Sequence, residues 1–161
     1  MNIISKRIGL DMGHRVTHHG SKCRNPHGHR YEVEAVCEGD LHLAGEQEGM
    51  VLDFGFLKEA MMELIHDPCD HGFCIWCNDA QMVEMFEPHV DVEIPQAQAQ
   101  ACTNKYGMKL YVVPFVPTAE NLARHWHDKL APEVVKRSHG LALLKTIRVW
   151  ETPTSVAEYT A

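Results

Sequence analysis

No run of apolar residues in this 161-residue chain is long enough to cross a bilayer. No secretory leader is visible either, since Lys6, Arg7 and Asp11 break up Met1 to Gly13 before an apolar core of useful length develops. The sequence therefore predicts a cytoplasmic protein with no membrane partner. Positive charge is also scarce: 15 Lys and Arg stand against 22 Asp and Glu, for a formal charge of -7, which argues against a general nucleic-acid or membrane-surface binder. Internal repeats and long linkers are missing too, so a chain of this length with 45% hydrophobic residues is expected to fold as one domain, 1–161, around a sizeable core. Six cysteines would suffice for disulfides, but without an export signal reduced thiols are the expectation.

The basic residues that are present cluster. Lys6, Arg7, Arg15, Lys22, Arg24 and Arg30 share residues 1–30 with one acid, Asp11, and with five of the 12 histidines. Such a patch on an acidic chain suits a small anionic ligand better than a polymer, although a solvated surface would look the same. It brackets the run Cys23-Arg24-Asn25-Pro26-His27-Gly28-His29. Two histidines two residues apart in an extended segment project to the same side. His14, at the end of an apolar-alternating stretch, would supply a third imidazole, and three protein nitrogens leave one position of a tetrahedral zinc open, as in catalytic sites. The competing reading is a turn whose imidazoles make local hydrogen bonds. Cys23, four residues ahead of the pair, is a candidate base or nucleophile, or else a buried structural thiol.

Periodicity predicts a mixed strand and helix chain. Ile4, Ile8, Leu10 and Met12 fall on one face of an opening strand that delivers His14. From His29 to Glu38, Tyr31, Val33, Ala35 and Cys37 alternate with mostly acidic residues, the pattern of a half-buried antiparallel strand. Turn chemistry at Gly39–Gly49 followed by Met50-Val51-Leu52 suggests a hairpin. Asp53 would cap a helix carrying Phe54, Leu57, Met61 and Leu64 and ending before Pro68. A second helix would start at Thr118, carry Leu122, Trp126 and Leu130, and close at Pro132. Between Asn78 and Val116, Met82, Met85 and Phe86 suggest a short helix, Pro95–Thr103 is Gln/Ala-rich, and Lys109–Phe115 looks extended. Leu144–Glu151 would be the last main strand, with Val156–Tyr159 as an edge. This order points to an α+β sandwich with helices on one face of an antiparallel sheet.

With its later motifs the chain resembles the 6-pyruvoyl-tetrahydropterin synthase and 6-carboxy-tetrahydropterin synthase family of the tunnelling fold. The matching elements are His14, Cys23-x-x-x-His27-Gly28-His29, Met50-Val51-Leu52-Asp53-Phe54, Asp70-His71, Pro117-Thr118-Ala119-Glu120-Asn121-Leu122-Ala123 and Val149-Trp150-Glu151-Thr152. They occur in the right order over most of the chain. The three-residue spacer after Cys23 resembles the bacterial carboxy-tetrahydropterin branch, which feeds queuosine and other 7-deazapurine synthesis. The resemblance implies an antiparallel four-stranded sheet with two helices packed on one face, closed into a barrel by assembly as a homohexamer of two stacked trimers. It implies zinc on His14, His27 and His29, Cys23 as the proton-abstracting thiolate, a proton relay at His71 oriented by Asp70, and pterin binding by Glu151 with help from Thr118. The implied reaction converts 7,8-dihydroneopterin triphosphate to 6-carboxy-5,6,7,8-tetrahydropterin, acetaldehyde and triphosphate. The alternatives are the pyruvoyl product, with the side chain kept, and a pterin-binding homologue without turnover.

Several residues keep two readings. Asp70-His71 could simply end the first helix after Pro68. Glu151 faces the core by parity with Ile147 and Val149, and its buried carboxylate needs either a ligand or an internal salt bridge. Cys74-Ile75-Trp76-Cys77, near Cys69, has the spacing of a redox or zinc knuckle but lacks a partner pair, which favours packed thiols. His18 and His19 could meet a triphosphate or sit on an exposed loop, and His125 and His127 are expected at the surface or between subunits. The chain departs from the family pattern in the residues before His14, in the Cys69–Cys77 cluster, and in an extended insert at about 78–116.

Overall fold

The computed structural model describes residues 1–90 and 98–161. Strands β1 (Asn2–His14) and β2 (His27–Gly39) pair antiparallel along their whole length, with His14 opposite His27, Met12 opposite His29 and Leu10 opposite Tyr31. Period-two alternation puts Ile8, Leu10, Met12, Tyr31, Val33, Ala35 and Cys37 in the core, as the sequence predicts. β2 pairs on its other side with β6 (Ala142–Thr152), which pairs with β7 (Ser155–Thr160). A bulge in β6 opposes Val36 to Thr146 but Cys37 to Leu144, so Lys145 is the extra residue. Buried positions change parity across it, from Ala142 and Leu144 to Ile147 and Val149.

These four strands are the antiparallel sheet that was expected, but the sheet does not stop there. Its order is β4-β5-β3-β1-β2-β6-β7, seven strands in all. β3 (Gly72–Trp76) joins β1 in parallel at Met12 and Gly13, β5 (Lys109–Val113) runs parallel to β3, and β4 (Gln100–Thr103) pairs antiparallel with β5. The four-stranded antiparallel description is therefore corrected to a seven-stranded mixed sheet. β3 has an apolar layer on each side: Cys74 belongs to the main core, while Ile75 packs with Leu110 and Met82 in a second cluster. Parallel strands covered on both faces carry no alternation. The expected hairpin after Gly39 does not form, because β2 already has β1 and β6 on its two edges. Val51 and Leu52 are instead buried side by side, outside any strand.

Helix α1 (Phe54–Met61) starts at Asp53, whose carboxylate accepts the N–H groups of Gly55 and Phe56 at 2.6 and 3.2 Å. A π-helical turn (Met62–His66) and a short α2 (Asp67–Cys69) continue it, so Pro68 lies within the helical path instead of beyond its end. The wide turn relieves the clash and missing donor of that proline, and it places Ile65 in the core instead of Leu64. Helix α4 (Ala119–Arg137) buries Leu122, Trp126, Leu130 and Val134 against β6 and β7, and Thr118 caps it. Pro132 was expected to close this helix but sits inside it. Its ring is on the exposed side, while buried Val134 and the ion pairs of Arg137 with Glu133, Glu59 and Glu63 secure the final turn. Helix α3 (Ala80–Phe86) packs Met82 on the second cluster, so helices do not occupy a single layer. Within the stretch 78–116, residues 91–97 lie outside the described residues; the remainder supplies α3, β4 and β5.

Candidate active site

The β1–β2 register converts three separate histidines into one group. His14 and His27 face each other across the ladder, His29 follows His27 by two residues, and all three point to the side that carries Leu10 and Tyr31. Their rings lie 4.6, 4.9 and 5.1 Å apart between centroids, and one ligand nitrogen from each lies within 4.8 Å of the others. Two of the rings are held from behind. His14 Nδ1 donates to the Pro117 carbonyl at 2.6 Å, and His27 Nδ1 donates to the Asn25 carbonyl at 2.7 Å. A carbonyl can only accept, so Nδ1 carries a proton, which in the neutral ring leaves the lone pair on Nε2, the tautomer that a metal requires. Burial pushes the His14 pKa down to about 4, against the Pro117 hydrogen bond and with help from His27 and His29. Burial likewise lowers the pKa of His29. Neutral, oriented imidazoles are what a borderline metal ion binds, so this donor set fits one.

Glu151 reaches this group because of the β6 bulge: its carboxylate lies 3.8 Å from His14 Nε2. Tyr31, fully buried, brings its hydroxyl within 3.3 Å of the same nitrogen. Burial first, then the nearby Glu151 charge, raises the pKa of this phenol, so it stays protonated as a donor. On the other side of Glu151 a cleft of about 570 Å³ is lined by Arg7, His29, Arg30, Glu32, Trp150 and Thr152, among others, with the Arg7 guanidinium 4.2 Å from the Trp150 ring.

Asp70 and His71 form a second group with Asp11. Asp70 accepts the Asp11 N–H at 2.9 Å and His71 Nδ1 at 2.7 Å, which leaves His71 Nε2 free. Desolvation opposes ionisation of Asp70, but those hydrogen bonds and the charge of His66 hold its pKa below the ordinary value. His71 has φ of 58°, a left-handed conformation uncommon outside glycine, and its N–H donates to the Asp11 carbonyl. Its ring is 78% exposed and shares a shallow groove with Gly13, Gly28 and His29. Asp70-His71 thus ends the helical path and also forms an oriented imidazole–carboxylate couple.

Cys23 lies on a short 3₁₀ turn (Lys22–Arg24), partly exposed, with its carbonyl accepting the Val16 N–H at 2.8 Å. It belongs to the loop that joins the ligand-bearing strands but not to the histidine group itself. Thr118 Oγ1 accepts the Asn121 N–H at 3.3 Å as a helix cap. His18 packs edge-on to Trp76, and His19 Nδ1 accepts the Ser21 N–H. Of His125 and His127, expected at the surface or between subunits, the first is half-buried and the second buried, and both make contacts within the chain. His125 Nε2 bonds the Tyr111 hydroxyl at 2.7 Å, and buried His127 donates to the Leu144 carbonyl at 3.1 Å. All six cysteines are free; Cys69 and Cys74 are buried in the main core, where burial raises the Cys69 thiol to about 12, and Cys77 is half-buried outside it. The Pro117 carbonyl and Tyr31 were not foreseen: a backbone oxygen leaves no side-chain signature, and Tyr31 reads as one more core residue.

A family model described as 6-pyruvoyl tetrahydropterin synthase matches residues 3–161. The chain belongs to this family. It is 35% identical to a 6-carboxy-5,6,7,8-tetrahydropterin synthase of Haemophilus influenzae over 97% of this chain and 96% of that one. An enzyme of the same name from Aquifex aeolicus is 34% identical over 97% and 96%. Among solved structures, an uncharacterized protein of Wolinella succinogenes has a TM-score of 0.74 at 21% identity, covering 99% of this chain and 97% of that one. The 6-pyruvoyl tetrahydropterin synthase of Caenorhabditis elegans has a TM-score of 0.63 at 20% identity, covering 99% and 95%. At these identities the two structures show a shared fold alone.

Proposed function

We propose that this chain is a lyase converting 7,8-dihydroneopterin triphosphate to 6-carboxy-5,6,7,8-tetrahydropterin, acetaldehyde and triphosphate, as a step toward 7-deazapurines such as queuosine. The observation that carries it is the convergence of His14, His27 and His29, with Nδ1 of the first two held by backbone carbonyls, beside the carboxylate of Glu151. The names of full-length relatives at 35% and 34% identity support the product. His14, His27 and His29 would hold zinc, which when bound supplies Lewis acidity that lowers the pKa of the substrate's side-chain hydroxyls. Cys23 removes a proton as its thiolate, on the loop between the ligand strands. His71 carries protons at Nε2 while Asp70 fixes its tautomer. Glu151 accepts the N–H groups of the pterin ring. Thr118, whose oxygen already accepts from Asn121, keeps its hydroxyl proton for a ligand.

In this reading the chain works as one domain, with 78–116 as an insert that enlarges the sheet, and assembles as a homo-oligomer, a hexamer of two trimers. Support for assembly comes from exposed Ile3, Phe54 and Leu143, at 69%, 52% and 55%, and from the outer edge of β7, which no other strand among the described residues covers. No helix among the described residues is long and apolar enough to cross a membrane. The reaction proposed uses small soluble reactants, consistent with the cytoplasm. The second reading, formation of the pyruvoyl product, is favoured by the description of the family model. Incubation of zinc-loaded protein with dihydroneopterin triphosphate, with products identified by mass, decides: carboxylated pterin and acetaldehyde support the first reading, and a pyruvoyl product the second. Tight pterin binding without turnover would refute both.

A further inference from the structure

The loop of residues 15–26 begins directly after His14, ends directly before His27 and carries Cys23. Its firmest anchor lies outside it. Asp79, 2% exposed, accepts Arg15 Nε at 2.6 Å and Arg15 Nη2 at 2.5 Å, together with the Thr17 hydroxyl at 2.7 Å and the Met82 N–H at 3.3 Å. The last of these is a helix cap for α3, and a cap needs no more than one acceptor oxygen. The other three bonds are charge-assisted, two of them in the fork geometry that fixes a guanidinium in plane. From there the contacts run inward along the loop: Arg15 Nη1 donates to the Arg24 carbonyl at 3.5 Å, and the Val16 N–H donates to the Cys23 carbonyl at 2.8 Å. A carboxylate from the 78–116 stretch thereby holds both residues that flank Val16, and Val16 holds Cys23.

We propose that Asp79 is a positioning residue, whose buried carboxylate acts through Arg15 and Thr17 to set the conformation of the loop that presents Cys23. The proposal rests on the reading of Cys23 as the base. Asp79 is buried, whereas Arg15 keeps some contact with water and a second acceptor in Gln81 Oε1 at 2.9 Å, so loss of the Asp79 charge would loosen the loop at Arg15 and Thr17 while the histidines, held by β1–β2 pairing and by the Pro117 and Asn25 carbonyls, stay in place.

The test uses zinc-loaded full-length protein and two variants, Asp79→Asn and the milder Thr17→Val, with Thr17→Ser as the conservative control. Alkylation of Cys23 by iodoacetamide is followed by peptide mass, with Cys102 as internal reference, beside kcat, KM and zinc content. Displacement of a reacting group by about 1 Å can cost 10²-fold, so the Asp79 variant is expected to lose about 10- to 100-fold in kcat with smaller change in KM. Its Cys23 alkylation should shift by about threefold or more against Cys102 as the loop opens, and zinc should stay bound. Thr17→Val should move both readouts in the same direction and Thr17→Ser should restore them, which keeps the test usable if Asp79→Asn does not fold. Unchanged Cys23 alkylation and kcat in Thr17→Val and in any folded Asp79→Asn would overturn the clamp. Near-normal turnover of Cys23→Ala would instead remove the base that the clamp is said to position, a failure visible without either loop variant.

Discussion

Glu151→Gln separates two uses of the same carboxylate. The substitution keeps shape and removes charge at a side chain that is 27% exposed and 3.8 Å from His14 Nε2. If Glu151 accepts pterin N–H groups, the variant replaces a charge-assisted bond by a neutral one and turns an amide NH₂ toward a donor. The loss is about 1–3 kcal/mol, or roughly 5- to 150-fold in Kd. Metal content should hold, because the three imidazoles and their backbone partners are untouched. The assay is a fluorescence titration with a 6-substituted pterin, run beside metal analysis of the same samples. Unchanged pterin affinity would refute the reasoning. Metal loss with unchanged affinity would place the carboxylate on the ion instead of on the ring.

Other expectations follow from the same geometry. His27→Ala removes one of three ligands and should strip the metal, and full occupancy on metal analysis would exclude His27. Cys23→Ala should retain zinc and lose most turnover in the product assay; near-normal rates would move the base elsewhere. Gly13→Ala places a methyl group 2.5 Å from the Phe73 ring, which stacks on Phe86, so the melt should show a loss of about 1–3 kcal/mol; an unchanged melt would mean that Phe73 yields freely. Burial holds the His125 pKa down to about 4, against its ordinary 6.5. The unfolded chain therefore binds its proton first, and stability should fall as pH drops from 6.5 toward 4, by about 1–3 kcal/mol for this partly exposed group. His125→Gln, which keeps an acceptor for Tyr111, should flatten that limb of a thermal-melt series across pH, and an identical slope would exclude His125 as its source.

What could be read beforehand was whatever repeats along the chain with a period set by local geometry. Ile8, Leu10 and Met12 alternate, as do Tyr31, Val33, Ala35 and Cys37, and those two faces became the core. His14 and the His27–His29 pair came with them, since parity alone puts them on one side. Properties of the finished sheet could not be read in this way. Gly72–Trp76 is apolar on both sides because layers cover both, so it looked like a run of thiols and not like a strand. Val51 and Leu52 suggested a returning strand because nothing nearby says that β2 has no free edge. Pro132 carries a local stop signal that Val134 and Arg137 override from a distance. The Asp79 anchor joins residues more than sixty positions apart and has no spacing to betray it.

The extra residue at Lys145 makes the pairing of one strand a chemical variable. If β6 paired residue for residue, with Lys145 opposite Val36, the ladder could still form, yet the sites now held by Ile147, Val149 and Glu151 would pass to their neighbours Thr146, Arg148 and Trp150. An indole would then stand beside the three imidazoles, and a guanidinium would be driven into the apolar layer. A one-residue slip that looks minor on paper would thus exchange an acidic pocket wall for an aromatic one while swapping the two faces of the strand beyond Leu144.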